Sequence, residues 1–401
     1  MKRILVGQSG GPTAVINSSL YGVIMEAKEQ GCEVYGMING IEGFLEEKYI
    51  DLTGQDVDYE LLKCTPASYL GSCRYKLPEN LNEIVYRLLF EKFKKLAIDI
   101  VLYIGGNDSM DTVDKLSRYA DEIESDIKFI GIPKTIDNDL VETDHCPGYG
   151  SAAKFVAGTV RDVVWDAGVY DRPVVTIVEI MGRHAGWLTA ASVLARTEYE
   201  KNPLLIYLPE IDFDLSSFLR DVKDALEQSR SVVVCVSEGI KDAAGKLICE
   251  YEDESVMDQF GHKMLAGAGK VLEHFIKSSI GCKCRSIELN LPQRCFAQMA
   301  SAKDIEEAEI VGRTGVAKAL KGQSGSMVAM IRAREEGYNI SYEMVPVTDV
   351  CNLEKKFPSD WIVNGNDISD KFYDYVEPLI QGEHTVEFEG GLPRLLKPAY
   401  K

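Results

Sequence analysis

Residues 98–112 read IDIVLYIGGNDSMDT. An apolar run of strand character ends in Gly105-Gly106 and passes into Asn107-Asp108-Ser109 at the head of a polar, helical stretch. Such a strand–glycine–helix unit lets backbone approach a ligand, and glycines ahead of a helix suit a phosphate. Asp108 sets a negative charge at that same point, so the reading of one carboxylate decides which phosphate compound fits.

Outward from this unit, short apolar runs alternate with helical patterns. Residues 2–6 (KRILV), 32–37 (CEVYGM) and 127–132 read as strands. Between the first two, residues 14–30 read as a helix with Val15, Leu20, Val23, Ile24 and Ala27 near one face. A second set of strands, 174–180 (VVTIVEI), 203–208 (PLLIYL) and 231–236 (SVVVCV), is interleaved with helical stretches at 151–167, 185–199 and 215–228. Strands alternating with helices imply parallel sheets with helices on both faces, and two sets imply two sheets, with a border near 148–151. Residues 327–332 and 341–345 read as a strand pair, the second stopped by Pro346.

The chain has 401 residues, too long for one ordinary core. Its formal charge of −19 argues against nucleic acid and anionic membrane as partners. It also means that a phosphate site must be built from locally clustered cations and backbone N–H groups. No apolar stretch is long enough for a membrane span, and the ten cysteines include no CxxC, so reduced thiols and a cytoplasmic location are expected.

Three loops of the first half fall at strand ends, where open parallel sheets bind ligands. They are Gln8-Ser9-Gly10-Gly11-Pro12-Thr13, the stretch Gly105–Thr112, and Gly131-Ile132-Pro133-Lys134-Thr135-Ile136-Asp137-Asn138-Asp139. The third sets a lysine, a hydroxyl and two carboxylates close together, as phosphoryl transfer needs a cation, donors and a base. Leu70-Gly71-Ser72-Cys73-Arg74-Tyr75-Lys76 adds two cations after a small-residue turn. In the second half, Met181-Gly182-Arg183 follows one strand and Pro209-Glu210 another, while Arg285 and Arg294 flank a segment read as extended. An arginine there can fork onto a phosphate, and a carboxylate can accept sugar hydroxyls. His145-Cys146 looks metal-like but has no partner cluster in the sequence, and His184 reads as a loop residue.

Taken in order, SGG, GS-x-R, GG-x-x-S, PKTIDND, MGR, PE and the late R…QR segment resemble the phosphofructokinase family from residue 4 to about 330. The resemblance implies two similar Rossmann-like α/β domains with parallel-rich sheets and the active site in the cleft between them. The expected division is 1–150 with a segment near 291–325 for the phosphate donor, and 151–290 with the C-terminal segment 326–401 for the sugar phosphate. It further implies Asp137 as general base toward the 1-hydroxyl of fructose 6-phosphate, with Lys134 and Arg183 also catalytic. Gly11, Arg74, Gly106, Asn107, Asp108, Ser109 and Lys134 would bind the donor. Thr135, Ile136, Asp137, Met181, Gly182, Arg183, Glu210, Arg285 and Arg294 would bind the acceptor.

The family's ATP-dependent members carry glycine where this chain has Asp108, and usually glycine where it has Lys134. A carboxylate at 108 crowds and repels a nucleotide's α-phosphate, and a lysine at 134 suits a small, highly charged donor. Both changes point to the pyrophosphate-dependent branch; the resemblance then implies a nearly reversible reaction in glycolysis or gluconeogenesis, with Mg²⁺ as cofactor. Asn107 stands where the family has the aspartate associated with Mg²⁺, so the metal is expected at Asn107, with its charge supplied by Asp108 or by pyrophosphate itself. Leu291 replaces a histidine that contacts the sugar phosphate in ATP-dependent members, which leaves room for another acceptor such as sedoheptulose 7-phosphate. The competing readings are an ATP-dependent phosphofructokinase and a silent sugar-phosphate-binding subunit. A homodimer or homotetramer is expected by resemblance.

Overall fold

Alternating side chains explain the first sheet. Ile4, Val6, Ile100, Leu102, Ile104, Ile130 and Ile132 bury on one face, and Leu5, Val101, Tyr103 and Phe129 on the other. Both faces are therefore covered, as a parallel sheet requires. The computed structural model describes residues 1–54, 57–169, 171–251, 267–333 and 337–401. Its chain forms two units: Met1–Ser151 with Arg294–Lys355 and Leu379–Lys401, and Ala152–Gln293 with Lys356–Pro378.

In the first unit the strands are β1 (Arg3–Gln8), β2 (Glu33–Met37), β3 (Tyr49–Asp51), β4 (Ile100–Gly105) and β5 (Lys128–Pro133), joined late in the chain by β10 (Ser326–Arg332) and β11 (Ile340–Pro346). Among the described residues they form one sheet in the order β11-β10-β5-β4-β1-β2-β3. The inner strands run parallel, and β3 and β11 pair antiparallel at the two edges. The second unit has β6 (Val174–Ile180), β7 (Leu205–Tyr207), β8 (Ser231–Ser237) and β9 (Lys283–Glu288) in an all-parallel sheet ordered β7-β8-β6-β9. Its core packs Val175, Ile177, Val232, Val234 and Val236 against Phe218, Val222, Leu272 and Ile276 of the covering helices.

Three expectations need correction. Residues 326–355 and 379–401 lie in the first unit, because β10 adds in parallel to β5; only 356–378 joins the second. The helix expected over 185–199 is one short turn, Trp187–Ala190, followed by a 3-10 turn, Ala191–Ala195. The segment from Arg285 to Arg294 is not extended throughout: β9 ends at Glu288, Asn290 takes φ 43°, and Pro292–Cys295 is helical.

Helix Ile16–Glu29 packs on helix Ala302–Leu320 with glycine on both sides of the contact. A methyl on Gly22 would run into the Glu309 carbonyl, and one on Gly312 into the Ser19 carbonyl. Alanine is otherwise favoured over glycine inside a helix by about 1 kcal/mol. Overpacking against rigid backbone costs about 1–3 kcal/mol and reverses that sign. Gly312→Ala is expected to lower the denaturation midpoint at unchanged denaturant slope; a stabilised variant would refute the close contact.

Candidate active site

The order β5-β4-β1-β2 places a switch point beside β1, and the loops after β1, β4 and β5 leave from one carboxyl edge. Gly10, at φ 76°, donates its N–H to the Cys73 carbonyl at 3.1 Å and accepts from Ser72 Oγ at 2.6 Å. The Ser72 stretch is thereby tied to the first loop, and Arg74 stands exposed just beyond it. In the sequence Ser72 stands out only as part of the GS-x-R motif, and its tie to the Gly10 carbonyl is not readable there.

Lys134 is only 3% exposed, and its Nζ donates to the Gly11 carbonyl at 2.7 Å. Burial pulls its pKa down to about 8, against the attraction of Asp137 and Asp139 and helped by repulsion from Arg294. The Arg294 guanidinium lies 3.1 Å from where a side chain on Gly11 would begin, so glycine keeps that space open. Arg294 thus belongs beside the first loop, whereas Arg285 sits within β9 of the second unit, 4.0 Å from Asp166. The sequence reads the two arginines as flanking one extended segment; they lie in different units.

Helix Asn107–Glu122 follows β4 with Gly106 as its N-cap and no side-chain cap. Its first N–H groups are therefore available to an anion, and Ser109 is buried at that turn. Asp108 meets Lys76 at 2.9 Å, both well exposed, so the pair adds little stability. Asn107 has another employment: its carboxamide oxygen accepts from the Asn352 N–H at 2.5 Å and its nitrogen donates to the Leu353 carbonyl.

In the third loop the Thr135 hydroxyl accepts from the Asp137 N–H at 3.1 Å and bonds the Asp139 carboxylate. Ile136 is buried and Asp137 half-buried. Burial raises the Asp139 pKa, and its Oδ1 has no partner among the described residues. Among those residues no three His, Cys, Asp or Glu side chains converge on a metal position. Mg²⁺ needs no such cage, since it keeps several waters and binds through one or two carboxylates and substrate phosphates. The exposed Asp108 carboxylate fits that mode better than the engaged Asn107.

In the second unit, Met181, Gly182 and Arg183 follow β6. The Met181 N–H donates to Gln293 at 3.1 Å, Gly182 takes φ 127°, and its carbonyl accepts from Ser237 Oγ at 2.6 Å. Arg183 is left exposed. Glu210, after β7, accepts from the Gly186 and Phe357 N–H groups, each at 2.9 Å, through one oxygen. The other oxygen is buried without a partner among the described residues, and burial raises the carboxyl pKa. An unmet acceptor of this kind suits a hydroxyl.

Glycines, a buried ammonium and carboxylates beyond parallel strand ends define an α/β protein built to handle phosphate compounds. The chain belongs to the phosphofructokinase family, whose profile matches residues 3–304. It is 39% identical over 395 residues to the pyrophosphate–fructose 6-phosphate 1-phosphotransferase of Methylococcus capsulatus, covering 96% of this chain and 93% of that one. The crystal structure of pyrophosphate-dependent phosphofructokinase from Nitrosospira multiformis superposes with a TM-score of 0.90 at 36% identity, covering 100% of this chain and 97% of that one. Similarity to the ATP-dependent 6-phosphofructokinase of Glaesserella parasuis is lower, 30% over 70% of this chain and 84% of that one.

Proposed function

We propose that this protein transfers a phosphoryl group from pyrophosphate to the 1-hydroxyl of fructose 6-phosphate, giving fructose 1,6-bisphosphate and phosphate. The observation that carries the donor assignment is the buried Lys134 ammonium under the Gly10-Gly11 loop, next to a helix start that bears Asp108. The ammonium, the uncapped helix N-terminus and Arg74 offer positive charge to a compact tetra-anion. Asp108 opposes the longer anionic chain of a nucleotide. Relatives named for pyrophosphate at 38–39% identity support the same donor.

Asp137 takes the proton from the attacking hydroxyl, and the oxygen displaces phosphate in line. Thr135 and Arg183 hold the moving group, and Lys134 steadies charge on the donor. Ile136, Met181, Gly182, Glu210, Arg285 and Arg294 hold the sugar phosphate, Glu210 through its open oxygen. Asp108 would help to hold Mg²⁺ together with the pyrophosphate oxygens, and the ion would there offset donor charge. Gly11, Gly106, Asn107 and Ser109 shape the donor site, with Asn107 bracing the backbone at 352–353. Ten free thiols agree with a cytoplasmic enzyme, and among the described residues no helix is long and apolar enough to cross a membrane. A homo-oligomer is part of the same reading.

Initial rates with fructose 6-phosphate and Mg²⁺ should show turnover with pyrophosphate and none with ATP. Asp108→Gly combined with Lys134→Gly should lower pyrophosphate use at least tenfold and admit ATP; unchanged donor preference would sink the assignment. A second test uses pH. Free Lys134 loses its proton near pH 8, and bound pyrophosphate favours the charged form. The value of kcat/KM for pyrophosphate should therefore fall as pH rises through about 8, while kcat at saturating donor holds to higher pH.

A further inference from the structure

Behind the loop that carries Asp137 lies a polar cluster in the first unit that the proposed chemistry does not use. His145 is 2% exposed, with Nδ1 2.9 Å from Asp144 and Nε2 2.8 Å from Glu307. A neutral imidazole has one donor, and each ionised carboxylate only accepts. Two carboxylates facing both ring nitrogens therefore call for an imidazolium. The carboxylates are themselves held: Arg332 bonds Asp144 at 2.9 and 3.1 Å, and the Tyr338 hydroxyl donates to Glu307 at 2.6 Å.

The same helix, Ala302–Leu320, supplies a second grip one turn earlier. Asp304, 2% exposed, accepts from the Gly148 N–H at 2.9 Å and the Ser151 N–H at 2.8 Å, one on each oxygen. Asp304 and Glu307 stand three residues apart, so they share a helix face. Between them they hold residues 145–151. That stretch in turn carries the catalytic loop: the Thr135 N–H donates to the Pro147 carbonyl at 3.2 Å, and the Cys146 N–H donates to Asn138 Oδ1 at 3.0 Å. Asn138 is fully buried at φ 54°, a left-handed turn that sets where its neighbour Asp137 points.

We infer that the His145–Glu307 bond, with Asp304 beside it, is a positioning device that holds Thr135 and Asp137 in register for proton abstraction and in-line transfer. His145 acts through the backbone it anchors and touches neither substrate. The inference rests on Asp137 as the base. Misplacing a reacting group by about 1 Å can cost a hundredfold in rate. Burial alone would lower the His145 pKa; the bonds to Asp144 and Glu307 outweigh it and raise it. The groups facing it are Asp144, Glu307, Tyr338 and, through the carboxylates, Arg332. Lys355 Nζ donates to the carbonyls of Thr143 and Asp144, and Asp304 adds negative charge near Glu307. For a raised histidine the stabilisation is complete below the ordinary imidazole range and is lost as pH rises through the folded value.

The test compares His145→Gln, Glu307→Gln and the milder Tyr338→Phe with Asp137→Asn, by kcat, both KM values, thermal midpoint and the pH profile of kcat. His145→Gln and Glu307→Gln should lower kcat about tenfold to a hundredfold, with each KM within about twofold. In Glu307→Gln the alkaline limb of kcat should move to lower pH, because one of the two anions holding the imidazolium is gone. Tyr338→Phe should give a smaller loss of the same kind and remains informative if the other variants do not fold. Altered thermal midpoints with unchanged kcat, or losses confined to KM, would overturn the inference while Asp137→Asn stays inactive. An active Asp137→Asn would instead remove the base assignment on which it rests.

Discussion

The backbone contact between helices Ile16–Glu29 and Ala302–Leu320 governs what the rest of the first unit can do. The first helix begins behind the Gly10-Gly11 loop. The second carries Asp304 and Glu307, which hold the stretch behind Asp137. Because Gly22 and Gly312 allow the two backbones to meet without intervening side chains, both loops take their positions from one pair of helices. Close packing leaves little room for either to move alone.

Against a net charge of −19, the positive charge for a phosphate compound has to be concentrated and protected. Lys134 shows how. It is buried at the end of β5 and bonded to the Gly11 carbonyl, and the Arg294 guanidinium reaches the same Gly11 loop from helix Pro292–Cys295. Burial weakens its hold on the proton, and an arriving anion restores it. Glu210 has the complementary problem in the second unit. One oxygen is satisfied by two backbone N–H groups, while the other is buried and open. Both groups are costly in the unliganded protein and relieved by a ligand of the right chemistry.

The inner strands were legible because both faces of each are apolar, and the loops after β1, β4 and β5 stood out because glycine, lysine and carboxylate cluster at those strand ends. Less local features were not. β9 reads KCRSIE, with only Cys284 fully buried, so its composition is that of a solvated segment at a sheet edge. Residues 326–332 were recognisable as a strand, but their place beside β5 is a pairing across nearly two hundred residues that no local pattern encodes. Arg294 looked like a companion of Arg285 because they are close in sequence, and the turn at Asn290 separates their surroundings. His145 looked isolated because both of its non-adjacent partners, Glu307 and Tyr338, are distant in sequence. A buried polar cluster of this kind becomes visible only when the helix that supplies it is in place.

The division of the chain also has a consequence for synthesis. The first unit needs three separate lengths of polypeptide, and the whole of Ala152–Gln293 is made between the first and the second. While that stretch emerges from a ribosome, β5 still lacks its neighbour β10, and helix Ile16–Glu29 still lacks Ala302–Leu320. The nascent N-terminal portion therefore waits with an unpaired strand edge and an uncovered apolar helix face, the features that invite aggregation. Strands β6 to β9 of the second unit fall within one stretch of chain by contrast, and β8 pairs with both β6 and β7 soon after they are made. The greatest exposure to misassembly therefore falls midway through translation, when the first unit is half built.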